Sequence, residues 1–84
     1  MQFKADTRRN ELLGLWAAEL MSTSRGDATA YAKEVIKSDF EEAGHEDVVR
    51  KVAGDLGEKS NPYEIRAKMD EFWATAKAQL MTES

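Results

Sequence analysis

An 84-residue chain with 12 Lys/Arg, 16 Asp/Glu, a single histidine and no cysteine excludes several classes at once. It has room for one helical domain, residues 1–84, burying roughly 60–65% of the surface its unfolded form exposes, and without cysteine it has no disulfide or thiolate metal site. The net charge of −4 is concentrated in residues 27–58, which hold nine Asp/Glu against four Lys/Arg; that acidic centre argues against nucleic-acid backbone binding and permits a basic protein partner.

Four helical segments emerge in chain order. The first runs from about Asp6 to Met21. Leu12, Leu13, Trp16, Ala17 and Leu20 recur at spacings of three and four, a helical stripe. Gly14 interrupts the stripe at a cost of roughly 1 kcal/mol relative to Ala. A helix that accepts such a cost often does so because another backbone or a ligand comes close. The second segment begins near Ser24, which can cap it, with Asp27 three residues on in the place of a capping-box acid. Ala28, Tyr31, Ala32, Val35, Ile36 and Phe40 form its apolar face, and Gly44 is its expected stop.

The third segment opens with Glu46 and Asp47, acids suited to a helix N-terminus. Val48, Val49, Val52, Ala53 and Leu56 have helical rather than alternating spacing, and Gly57 is placed to end the helix. The fourth has the clearest start: Asn61 as cap, Pro62 in the first helical position and Glu64 completing a capping box. Ile65, Met69, Phe72, Trp73, Ala76 and Leu80 then share a side. Short gaps favour antiparallel neighbours, so the fold class is all-α, a small antiparallel four-helix bundle. Trp16, Tyr31, Phe40, Phe72 and Trp73 supply its bulky aromatic volume.

The stretch Leu12 to Ala18 is far too short to span a bilayer. The N-terminal MQFKADTRRN lacks the apolar core of a secretory signal. A cytoplasmic, soluble monomer with no membrane insertion is expected.

The inventory for catalysis is poor. His45, the only histidine, falls in a polar connection and reads as a loop or cap residue; no base–nucleophile pairing suggests itself. Asp39, Glu41, Glu42, Glu46 and Asp47 lack the alternating spacing of a calcium loop, and no glycine-rich phosphate loop occurs. No catalytic residue, metal site or resident cofactor is expected. Trp16 and Trp73 are simplest as core residues. The sharper reading is that one ring forms the wall of a shallow pocket and stacks on a purine, with Arg8, Arg9, Lys33, Arg66 and Lys68 as candidates to hold phosphate oxygens.

Three segments carry a resemblance: RRNELLGLWAAEL (Arg8 to Leu20), AYAKEVIKSDFEEAGHEDVVRKV (Ala30 to Val52) and EIRAKMDEFWATA (Glu64 to Ala76). Together they resemble the zeta subunit of the alphaproteobacterial F-type ATP synthase, a small regulatory protein. The resemblance implies a four-helix bundle, binding to the catalytic head of the synthase, blocking of ATP hydrolysis, and ADP or ATP as a regulatory ligand on the bundle. Carried onto this chain by charge and expected geometry, nucleotide contact falls on Arg9, Asn10, Trp16, Lys33 and Arg66. Two departures stand out. Inhibitors of this family carry a longer charged segment before the RRN motif, whereas here seven residues precede Arg8, so weak or absent inhibition is expected. Ala43 and His45 stand in the EEAGHED turn where family members tend to have proline and aspartate.

Two alternatives remain at this level. One is a stand-alone nucleotide-sensing module, which would bind adenine nucleotide without affecting hydrolysis. The other is a generic helical adaptor with both tryptophans in the core and no nucleotide bound.

Overall fold

The computed structural model describes residues 2–22, 24–38 and 46–83. Within them the chain folds into α1 (Gln2–Leu20), α2 (Arg25–Ser38), α3 (Glu46–Leu56), a 3-10 turn (Gly57–Lys59) and α4 (Pro62–Glu83), with no strand among the described residues. It is an all-α four-helix bundle. Phe40, the acids Asp39, Glu41 and Glu42, the stop at Gly44 and the turn carrying Ala43 and His45 lie outside the described residues.

The helix starts follow their caps. The Ser24 carbonyl accepts from the Ala28 N–H at 2.8 Å, and its hydroxyl accepts from the Asp27 N–H at 3.3 Å. At α4 the Asn61 side chain accepts from the Glu64 N–H at 2.8 Å, while the Glu64 carboxylate accepts from the Ser60 hydroxyl. Gly57 terminates α3 with a φ of +57°, a left-handed conformation that glycine adopts without a Cβ penalty.

The first helix departs from expectation in two ways. It begins at Gln2 rather than near Asp6, and Ala5 is buried, so tertiary packing winds the early residues into the helix. Its buried strip also runs through Ala5, Arg9, Asn10, Leu13, Gly14, Ala17 and Ala18, while Leu12, Trp16 and Leu20 are only partly covered. The rotation follows from position: α1 makes its most extensive contacts with α2 and α4, and α3 packs against all three other helices. At Gly14 the backbone of α2 comes close. A Cβ built there would lie 2.6 Å from the Ala32 Cα, so a second backbone does occupy that space.

Helices α1 and α4 run antiparallel. Arg8 donates to the Gln79 side-chain oxygen at 2.8 Å, Arg9 lies 5.8 Å from the Trp73 ring centre, and Lys68 lies 5.9 Å from that of Trp16. Residue numbers thus rise along one helix as they fall along the other. Leu13, Val35, Val48, Val52 and Ile65 have no exposed surface and form the centre of the core, with Trp16 and Phe72 packed against it from one side. The α2–α3 contact carries a polar tie: Tyr31 donates to the Asp55 carboxylate at 2.8 Å, and Lys51 donates to the same oxygen at 3.2 Å.

Candidate functional site

A cleft of about 470 Å³ opens between α1, α3 and α4, within the roughly 300–1,000 Å³ of small-molecule sites. The first helix contributes Asp6 and Arg9; α3 contributes Glu46 and Val49. From α4 come Arg66, Met69, Asp70 and Trp73, one face of the helix at spacings of three and four. Val49, Met69 and Trp73 give the cleft an apolar wall, and the remaining residues surround it with charge of both signs.

Arg9 forms the inner end of that charged set. It is only 4% exposed, and its Nε and one terminal nitrogen donate to the Asn10 side-chain oxygen at 3.0 and 2.9 Å. The other terminal nitrogen stands 3.5 Å from an Asp6 carboxylate oxygen, an i,i+3 pair on the helix. The guanidinium also faces the Trp73 ring, which Lys77 approaches at 5.3 Å from its centre. Two cations on one indole use the negative face of its π system.

Arg66 forms the outer end. It is exposed, and it donates to Glu46 Oε1 at 2.7 Å, joining the start of α3 to the first turns of α4. That hydrogen bond, and secondarily the opposite charge, holds the Glu46 carboxyl below the usual carboxylate range and raises the Arg66 guanidinium further. Among the described residues no group of three or more His, Asp or Glu side chains is arranged to hold a metal ion.

The five residues singled out from sequence do not all meet here. Arg9 and Arg66 line the same cleft. Asn10, 1% exposed, sits beside it and fixes the Arg9 guanidinium. Trp16 lies outside the cleft, with Lys68 over its ring, and Lys33 is exposed on α2, which contributes no lining residue. The tryptophan in the cleft is Trp73. Its spacing of seven from Arg66 places both on one helical face, and that was the available signal. Of the three acids of the lining, Glu46 reads from sequence as a helix-N-terminal acid, and none of Asp6, Glu46 and Asp70 is singled out there as a site residue.

No curated protein matches this chain. A chain whose structure was solved by solution NMR matches it at 61% identity, covering 100% of this chain and 99% of the other, with a TM-score of 0.92. The family model described as ATPase inhibitor subunit zeta matches residues 1–79. That match takes in α1, α2, α3 and nearly all of α4, cleft included, and the chain therefore belongs to the ATPase inhibitor subunit zeta family.

Proposed function

We propose that this protein is a regulatory subunit of an F-type ATP synthase that docks on the catalytic head and binds ADP or ATP in the cleft between α1, α3 and α4. Family membership supports the synthase role. The observation carrying the nucleotide reading is the convergence of Arg9, Arg66 and Trp73 on one cleft of suitable volume. In this reading the purine lies against Trp73 and Met69, and phosphate oxygens accept hydrogen bonds from Arg66 at the mouth. Arg9, held by Asn10, supplies positive potential from behind the ring. Trp16 and Lys33 lie away from that cleft and have no contact with the ligand in this arrangement.

Inhibition of hydrolysis is weak or absent in this proposal. Residues 2–7 are wound into α1, Ala5 is buried and Asp6 is paired with Arg9, so this stretch is committed to the bundle. Extending it into a catalytic interface would break those contacts.

An amide-shift titration with magnesium-ADP and magnesium-ATP tests the nucleotide reading. Saturable shifts are expected at Arg9, Arg66, Asp70 and the Trp73 indole, with little change at Lys33. A flat response at millimolar nucleotide overturns it. Adding the protein to the isolated synthase head tests the other half: co-migration with at most a small loss of hydrolysis is expected, and full inhibition refutes the weak-inhibitor reading.

A further inference from the structure

The one exposed guanidinium of the cleft, Arg66, is already engaged by a carboxylate from another helix. Glu46 is the first residue of α3, and its oxygen lies 2.7 Å from the Arg66 terminal nitrogen. Both side chains are more than half exposed, so water and solutes reach the pair. Asp6 and Asp70 line the same cleft, so its carboxylates outnumber its guanidiniums.

We infer that Glu46 is a specificity-determining counter-ion: it occupies Arg66 in the free protein, and an anionic ligand binds by displacing it. This rests on the nucleotide reading above and adds to it a residue that sets affinity and charge preference. The exchange replaces one charge-assisted hydrogen bond with another, so the net gain from the phosphate is small while Glu46 is present. Once displaced, Glu46 adds an uncompensated negative charge near the ligand, in a cleft that Asp6 and Asp70 already line. Each further phosphate charge therefore meets more repulsion, and the cleft disfavours the more highly charged nucleotide. Displacement also removes the hydrogen bond between the start of α3 and α4, so binding is reported at α3 as well as at α4.

The test compares the intact wild-type chain with Glu46→Gln, titrated with metal-free ADP and metal-free ATP at low ionic strength, where exposed charges are least screened. Gln keeps the size of the side chain and removes its charge, and Asp47 remains as an acid at the α3 N-terminus. ADP affinity is expected to rise about two- to fivefold, the range of an exposed ion pair, and ATP affinity to rise by more. Glu71→Gln, an exposed acid outside the cleft that pairs with Lys68, serves as the control and leaves both affinities unchanged. In the wild type, the amides of Asp47 and Val48 shift on binding. Wild type and Glu46→Gln binding equally well, or ATP gaining no more than ADP, overturns this inference while leaving the nucleotide reading standing. Absence of binding by either protein overturns both.

Discussion

Arg9 and Arg66 carry the same charge into one cleft and differ in what their loss would do. Arg9 is buried and its guanidinium is the donor to a buried Asn10 oxygen. Arg9→Ala would leave that oxygen and Asp6 without the guanidinium, and removing a buried hydrogen-bond partner costs about 1–3 kcal/mol. Its melting temperature should fall, so a weakened nucleotide affinity in Arg9→Ala mixes folding with binding. Arg66→Gln removes an exposed side chain; thermal unfolding should be nearly unchanged while the nucleotide titration weakens, which makes it the cleaner probe of the cleft. Gly14 poses a different residue-scale problem. Alanine would improve helix propensity by roughly 1 kcal/mol, but its Cβ would stand 2.6 Å from the Ala32 Cα. Backbone cannot swing aside as a side-chain tip does, and overpacking costs about 1–3 kcal/mol. Gly14→Ala should therefore destabilise the fold by about 1 kcal/mol net, read as a lower midpoint in urea unfolding.

Between elements, the α2–α3 junction depends on a polar contact whose strength varies with pH. Burial, foremost, and then the hydrogen bond to Asp55 and the charges of Asp55 and Glu34 push the Tyr31 phenol far above its ordinary value. The folded state thus favours the neutral phenol, whereas the unfolded chain releases the proton near pH 10. The stabilisation is complete below that pH and is lost as pH rises above it, at about 1.4 kcal/mol per pH unit. Tyr31→Phe should lose about 1 kcal/mol near neutrality and show a flatter alkaline decline in chemical unfolding midpoints. At the same scale, the legible parts of the sequence were those with local causes. Asn61 and Pro62 set the start of α4, Ser24 with Asp27 that of α2, and Gly57 the end of α3. The start of α1 was not legible, because no cap marks it and the burial of Ala5 arises from packing. The choice between Trp16 and Trp73 was hidden for a similar reason. Both occupy apolar helical positions, and only the placement of α3 decides which ring borders the cleft.

At the scale of the whole molecule, α1 is the element that the others cover: α2 along the Gly14 side, α4 along the opposite run, and α3 against all of them. Among the described residues no helix is long and apolar enough to cross a membrane. The contacts that close α1 against α4 join residues as far apart as Arg8 and Gln79. Such non-local contacts form only after a long loop has closed. Synthesis proceeds from the N-terminus, so the first helix to be made waits for the last one to cover it. While the ribosome is still adding α4, the α1–α2 hairpin can form, but one side of Leu13 and Ala17 stays open to solvent. A nascent chain of this protein therefore passes through an interval of exposed apolar surface that lasts until α4 is made and docks, the interval in which a holding chaperone would bind it.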